Sequence, residues 1–522
     1  MEMRSTSPRA GESIRTSVRG AGCDPLFNEV LASLPPLAFD AIARSLKPVP
    51  LVRGDRLNGA GDHRAAAFFP TTAVVSILYL TADGASTEVA MVGREGIVST
   101  DLFPGERGGA TAIVQGSGMA YRLDASVLRR ALLDGGALHS ALFDDRLRLM
   151  SQIAVTAAGS QLSSIEQRLC RWLMGRLSRS LSNQLSVTHE TISDLLGVRR
   201  ESITAALGKL RNSGVIECGR GKITVQHPPV LEKLAGEWFD QGKTLPRSQR
   251  HDVGLAVKTG EVGASEPCPQ AGQQLDAEDL LAVAGQCWCR KNSLLAALPA
   301  AEFGLLANHL ECVLLAAGQV LSVAGARSTR IYFPVTAVVS LLHLMGDGTK
   351  MEVAMTGHEG LVGIDGLTNA CLPLNAVVQR AGNAFSLDTL VLKEAVSLGG
   401  MLAKLVFRYC TDLTAQIALT AVGNQHSTVE QKLSRWLLDR LDRSPTDELR
   451  VTHDLIADLL GVRREAITAA ARRLQDAGVI RYSRGVMWVT NRSALVQHAG
   501  ETYRPSGPDR ASPAGIYGLT SH

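Results

Sequence analysis

Two kinds of periodicity alternate along this chain, and each appears twice. Residues 74–80 read as a strand-like run of alternating apolar residues, Asp83-Gly84 then supplies a hairpin turn, and a second apolar run covers 88–92. The same succession returns around Asp347-Gly348. Such runs predict an antiparallel β-barrel or jelly roll of about 100 residues in each half. The period then lengthens. Leu138, Leu142, Leu149, Ile153 and Ala157 share one stripe of a helix, and so do Leu402, Val406, Leu413, Ile417 and Ala421. Two roles fit that stripe: packing against the adjacent barrel, or a helix–helix dimer seam. Its length of about five turns, with arginines interrupting it, favours the seam. A further helix is predicted behind the capping boxes Ser163-x-x-Glu166 and Ser427-x-x-Glu430.

The recurrence is a true internal repeat. Phe69-Pro70-Thr71-Thr72-Ala73-Val74-Val75-Ser76 returns as Phe333-Pro334-Val335-Thr336-Ala337-Val338-Val339-Ser340. Leu195-Leu196-Gly197-Val198-Arg199-Arg200-Glu201 returns as Leu459-Leu460-Gly461-Val462-Arg463-Arg464-Glu465. Both offsets, 334 − 70 and 459 − 195, equal 264. Between 186–225 and 450–489, 23 of 40 positions are identical without a gap, which chance does not produce. A period this long is not a solenoid repeat, so each copy is expected to be a complete multidomain unit fused in tandem.

The most informative stretch is 188–225. Thr188 suits an N-cap, a short helix ends at Gly197, and a second helix over 199–211 buries Ile203, Ala206, Leu207 and Leu210. A strand follows Gly214, and Gly219-Arg220-Gly221-Lys222 makes a tight basic turn before 223–225. Helix, glycine turn, helix, hairpin is the winged helix-turn-helix plan, whose second helix enters the major groove. That helix begins with Arg199, Arg200, Glu201 and Ser202. An arginine can clamp guanine O6 and N7, and a carboxylate can accept from cytosine N4. Arg220 and Lys222 on the wing, with Thr188 and His189 at the first helix, suit phosphate contact. The repeat supplies Thr452, His453, Arg463, Arg464, Glu465 and Arg484 at the matching places.

The pattern divides the chain into a disordered tail (1–24), a sensor-like barrel (25–137), a long helix (138–162) and a winged helix-turn-helix (163–239). A linker (240–291) leads to a second barrel (292–401), long helix (402–426) and winged helix-turn-helix (427–503), with a disordered tail at 504–522. The fold class expected is α+β: two copies of an antiparallel jelly roll, a long dimerisation-type helix and a winged helix-turn-helix.

Composition narrows the function. Apolar residues at 45% against 20% charged describe a globular protein, and a net charge of +4 leaves no basic tail, so DNA contact must come from local placement. No apolar run is long enough to span a membrane, and the arginine-rich first twenty residues lack the core of a secretory signal. Nine scattered cysteines fit a reducing cytoplasm. Cys268, Cys287 and Cys289, near His251, form only a Cys-x-Cys and read as ordinary linker cysteines, not a metal site. His343 and His358 are barrel histidines that a haem would need; a surface or core role is commoner. Gly116-Ser117-Gly118 lacks the Lys-Ser/Thr of a phosphate loop, and no nucleophile–base constellation points to an enzyme.

From about Pro25 to Phe239 and from Asn292 to Tyr503 the sequence resembles the Crp/Fnr family of regulators. The most specific element is Gly197-Val198-Arg199-Arg200-Glu201-Ser202-Ile203. The resemblance implies base contacts by Arg200, Glu201, Arg464 and Glu465, and backbone contacts by Thr188, His189, Arg199 and their counterparts. Where the family archetype has a further basic residue one turn on, this chain has Ala205 and Ala469, so base preference is expected to differ. The resemblance also implies dimerising long helices and barrels of the cyclic-nucleotide-binding type. The ribose glutamate and phosphate arginine of that site fall at Ser99 and Gly109, with Arg107 nearby, and at Gly363 and Pro373. No cofactor is therefore expected, and a cyclic nucleotide is not the expected effector.

Together these features predict a cytoplasmic, sequence-specific transcription regulator. Its partners are double-stranded DNA, RNA polymerase if it activates, and either the other copy within the chain or a second chain, with no membrane. Pairing within the chain is favoured, giving a pseudo-dimer on an imperfect palindrome with half-sites about one helical turn apart. The competing reading is a ligand- or protein-binding adaptor that keeps the fold without sequence readout.

Overall fold

The computed structural model describes residues 24–58, 66–80, 86–99, 110–180, 182–219, 221–236, 288–344, 348–368, 371–444 and 448–505. Arg107, Gly109, Arg220, His251, Cys268, Cys287, Asp83, Gly84 and Asp347 lie outside the described residues. Two compact units emerge, and the dividing line crosses a helix. The first takes Met1–Leu80, Gly84–Asp145 and Ile165–Ala235; the second takes Thr81–Asp83, Arg146–Ser164 and Gly236–His522.

In the first unit, α1 (Glu29–Ser33) and α2 (Pro36–Ala43) lead into the barrel. Asn28 caps α1, its Oδ1 accepting from the amides of Val30 and Leu31. The strands are β1 (Lys47–Leu51), β2 (Arg56–Asn58), β3 (Ala66–Pro70), β4 (Val74–Leu80), β5 (Ser86–Val92), β6 (Ala110–Gly116) and β7 (Gly118–Asp124). They form two antiparallel sheets, β1-β7-β3 and β2-β6-β4-β5. Phe69 lies opposite Tyr121, and Ile77 opposite Ala112. Phe69, Val75, Val89, Val114, Tyr121 and Leu123 are sealed from solvent; burial of each large apolar side chain is worth about 1.5–3 kcal/mol. Neither face of β4 is left wet. Ser76 and Glu88 are also buried, because helices cover the outer face of this sheet.

The chain continues through α3 (Ala125–Asp134) into α4 (Gly136–Leu162), whose stripe residues Leu138, Leu142, Leu149, Ile153 and Ala157 are all buried. Next come α5 (Ile165–Ser178), β8 (Gln184–Ser186), α6 (His189–Leu196), α7 (Arg200–Asn212), β9 (Ile216–Gly219), β10 (Lys222–Val225) and α8 (Pro228–Ala235).

The second unit repeats the order after a 3-10 turn at Trp288–Lys291, which falls in the stretch read as linker. Its elements are α9 (Ser293–Ala296), α10 (Ala300–Ala307), β11 (Glu311–Leu315), β12 (Val320–Ser322), β13 (Arg330–Pro334), β14 (Val338–Leu344), β15 (Lys350–Thr356), β16 (Asn375–Arg380) and β17 (Gly382–Asp388). Then follow α11 (Thr389–Ser397), α12 (Gly400–His426), α13 (Val429–Leu441), β18 (Glu448–Arg450), α14 (His453–Leu460), α15 (Arg464–Asp476), β19 (Ile480–Ser483), β20 (Val486–Val489) and α16 (Arg492–Ala499). The sheets, β11-β17-β13 and β12-β16-β14-β15, copy the first pair strand for strand. Phe333 faces Phe385, the counterpart of Phe69 facing Tyr121. The fold is thus α+β, an antiparallel jelly roll with a helix-turn-helix, occurring twice.

One predicted cap moves by a residue. In place of Ser427 and Glu430, the capping box of α13 is Thr428 with Gln431: the Gln431 amide donates to Thr428 Oγ1 at 3.2 Å, and the Thr428 amide donates to Gln431 Oε1 at 2.8 Å. Ser427 instead closes α12, and Glu430 is taken by Arg473 at 2.7 Å and His498 at 3.2 Å.

Candidate nucleic-acid interface

The interface grows out of a capped helix and a left-handed turn. Thr188 Oγ1 accepts from the Thr191 amide at 3.1 Å and so starts α6. Gly197 ends it at φ 59°, a conformation that favours glycine, and the chain reverses into α7. On α7, Ile203, Ala206, Leu207 and Leu210 are buried, while Arg199, Arg200 and Glu201 are exposed and Ser202 is half-buried. The helix begins at Arg200, one residue later than the pattern suggested, with Arg199 as its N-cap. Lys222 is exposed near the tip of the wing, opposite Gly219 in sheet β8-β10-β9.

The second unit builds the same surface. Thr452 caps α14, Gly461 turns the chain at φ 63°, and Arg463, Arg464 and Glu465 are exposed at the start of α15. Ile467, Ala470, Ala471 and Leu474 form its buried face. At the wing tip, Arg484 has φ 49°, alone among the described non-glycine residues in taking a left-handed conformation. Both heads therefore bring their guanidinium and carboxylate groups to one exposed helix end, with a basic wing in the same domain.

Two residues absent from the sequence reading help to set these ends. Thr204 Oγ1 donates to the Arg200 carbonyl at 3.1 Å and bonds His189 Nδ1 at 3.0 Å; Thr468 does the same with Arg464 and His453 at 3.1 and 3.0 Å. The threonine ties α6 to α7 in the first head and α14 to α15 in the second. The signal for it was a hydroxyl residue four positions after Arg200 and after Arg464. His453 also stacks on Tyr482 of the wing, with 4.4 Å between ring centres. Burial, then the Arg464 charge, pushes its pKa down, so it holds this packing as a neutral ring. Where the first head has Glu190, the second has Asp454, which pairs with Arg464 at 3.4 Å.

Each head also contacts the barrel of its own unit. Arg179 pairs with Glu95 at 2.7 Å, Arg53 Nη1 donates to the Ser186 carbonyl at 2.8 Å, and Arg176 Nη2 donates to the Gln115 carbonyl at 3.1 Å. In the second unit Arg443 pairs with Glu359 at 2.6 Å and Arg440 with Glu352 at 3.1 Å. Glu88 hydrogen-bonds Ser76 beneath this contact, and burial pushes its pKa up to about 7 despite the Ser76 hydroxyl and the Arg176 charge.

At the position that the resemblance assigns to the ribose glutamate, the second unit has no room for a side chain. Gly363 has φ 98°, and a Cβ there would lie 2.5 Å from the Arg330 carbonyl oxygen. Nearby Asp365 is turned inward, accepting from the Ser328 amide at 3.2 Å and its hydroxyl at 2.9 Å. The ribose-binding carboxylate of a cyclic-nucleotide site does not fit at Gly363. His343 is buried on β14, and His358 lies 4.0 Å from Glu359. The described cysteines, Cys289 among them, are free thiols.

The sequence model of the Crp-like helix-turn-helix domain matches residues 167–234 and again 431–498. The two matches are themselves 264 residues apart, 431 − 167. No curated protein matches the chain. Among solved structures, a putative Crp/Fnr-family transcriptional regulator from Eubacterium rectale is 19% identical, over 40% of this chain and 97% of that one, with a TM-score of 0.34. FixK2 from Bradyrhizobium japonicum is 15% identical over 36% of this chain and 96% of its own, with a TM-score of 0.32. The c-di-GMP-responsive global regulator CLP from Xanthomonas campestris is 15% identical over 37% and 99%, with a TM-score of 0.31. With a Crp-like helix-turn-helix domain at the same place in both copies of an internally repeated unit, the chain has the make-up of a DNA-binding transcription regulator duplicated in tandem.

Proposed function

We propose that the chain reads an imperfect palindrome as a single-chain pseudo-dimer, one helix-turn-helix per half-site. Arg200, Glu201 and Ser202 in the first head, with Arg464 and Glu465 in the second, contact base edges. Thr188, His189, Arg199, Arg220 and Lys222, with Thr452, His453, Arg463 and Arg484, contact the backbone. The observation that carries this reading is the exposure of the same Arg-Arg-Glu at the start of α7 and of α15, opposite a fully buried apolar face. Ala205 and Ala469 shift base preference away from that of family members with a basic residue there.

Pairing within the chain is supported by the company the C-terminal half of α4 keeps. Arg146–Ser164 belongs to the compact unit that contains α12. Asn424 Nδ2 of α12 donates to the Ala157 carbonyl at 3.0 Å, and the Arg146 guanidinium lies 5.3 Å from the centre of the Phe407 ring. The helix stripe then acts as the dimer seam. The lack of room for a carboxylate side chain at Gly363 supports a signal other than a cyclic nucleotide for the second barrel. If the protein activates transcription, RNA polymerase is a further partner. No enzymatic activity is proposed.

Selection from random duplex DNA tests this function, run with the wild-type chain beside an Arg200→Ala, Arg464→Ala double variant. A consensus of two half-sites that disappears in the variant is the expected result. Binding that is indifferent to sequence and steep in salt, equal in both proteins, would mean that the fold serves as an adaptor.

A further inference from the structure

The turns of the two helix-turn-helix units are held by different means. In the first unit Arg168, on α5, donates from Nη2 directly to the carbonyl of Leu196, the last residue of α6. Its counterpart in the repeat is Lys432, since 432 − 168 is 264. A lysine carries one compact ammonium where arginine carries a planar fork of donors. Lys432 Nζ donates to Gln161 Oε1 at 3.0 Å and to the Asn424 carbonyl at 3.2 Å. Gln161 completes the link, donating from Nε2 to the carbonyl of Gly461 at 3.0 Å.

Gln161 lies in the last turn of α4, within the Arg146–Ser164 segment of the second compact unit. One turn earlier, the Ala157 carbonyl accepts from Asn424. The approach at Gly461 is close: a Cβ there would meet Gln161 Cγ at 3.0 Å and Leu162 Cδ2 at 3.4 Å, and its φ of 63° favours glycine as well. Both acceptors of Lys432 are neutral amide oxygens, and burial pushes its pKa down to about 8. Arg464 and Glu465, at the start of the second reading helix, follow this clamped turn directly.

We infer that Gln161 is a positioning residue for the second DNA-reading head, holding the α14–α15 turn from the long helix of the first copy, whereas the first head holds its own turn through Arg168. The consequence is asymmetric control. A change that moves α4 along or about its axis displaces the Gln161 amide and tilts the second head, while the Arg168 link travels with the first. This inference rests on the intrachain pairing proposed above.

Amide hydrogen exchange on the full chain tests it, comparing wild type, Gln161→Ala, and Gln161→Ala combined with Lys432→Arg. Gln161→Ala should speed exchange over 457–462 by roughly three- to tenfold, the worth of one neutral hydrogen bond, and leave 193–198 unchanged. Lys432→Arg should restore protection, because the longer fork can reach the α14 carbonyls as Arg168 reaches Leu196. Equal acceleration in both turns, or none in either, would overturn the clamp. Light scattering on the same wild-type sample reads the pairing separately. A 55.6 kDa particle with no response to Gln161→Ala keeps the pairing and removes the clamp. A two-chain particle with the response intact removes intrachain pairing and keeps the clamp, now between chains.

Discussion

The side-chain amide of Asn28 donates to the carbonyl of Pro70 at 2.9 Å, and Asn292 donates to the carbonyl of Pro334 at the same distance. A second N–H of each amide reaches Gly96 at 3.0 Å or Gly360 at 2.9 Å, while each Oδ1 caps the following helix. Both asparagines are fully buried, so four backbone groups in each copy depend on one side chain. Asn28→Ala should destabilise the first unit by on the order of 3 kcal/mol through those orphaned groups. Asn28→Asp should do no better, since a carboxylate cannot donate to Pro70 and Gly96. Urea unfolding with Asn28 and Asn292 varied separately would check both claims.

The ion pair between Asp454 and Arg464 is mostly exposed, which makes it weak, yet it engages a proposed base-reading group. Asp454→Ala should raise affinity for the second half-site by about two- to fivefold, chiefly by freeing Arg464 and removing a negative charge near phosphate. The gain should shrink as salt rises. Titrating duplexes in which one half-site at a time is scrambled would show whether the effect stays with the second head.

Two buried groups of the first unit titrate in opposite senses. Burial raises Glu88 from 4.5 to about 7, so the folded chain binds more protons than the unfolded one between those values, and stability falls as pH rises through them. Burial lowers His139 from 6.5 to about 4, so stability falls as pH drops through that window. Glu88→Gln should remove the loss on the alkaline side, worth up to about 3 kcal/mol, and His139→Leu the loss on the acid side. Melting each variant across the range from about pH 4 to pH 8 would separate the slopes; identical profiles for Glu88→Gln and wild type would remove Glu88 as the cause.

Gly363 has neither the backbone conformation nor the space for a side chain. Gly363→Ala should cost about 2 kcal/mol or more in the second unit. Gly363→Glu, which would place the expected ribose carboxylate, should destabilise further and gain no affinity for cyclic AMP. Calorimetric titration with cyclic AMP measures the second half of this claim.

Much of this architecture was legible in order of residues alone. The 264-residue offset, the change from strand to helix period, and the Thr188, Gly197, Arg199-Arg200-Glu201 succession are local or self-comparing signals. Caps and left-handed glycines act over a few residues, so sequence reports them well. The box at Thr428 and Gln431 shows the limit, since two adjacent hydroxyl residues offered two registers and packing chose one.

The chain's sequence by itself determined the duplication, the succession of barrel, long helix and winged helix-turn-helix, and the charged ends of the reading helices. Those follow from periodicity and from short-range backbone chemistry. Only the tertiary structure decided that Asn28 and Asn292 bind loops far along the chain, that Glu88 is buried beside Arg176, that Gly363 has no room for a carboxylate, and that Gln161 meets Gly461. Each joins residues tens to hundreds of positions apart. Such pairings depend on which surfaces come together and how much water they exclude, and no local pattern encodes that.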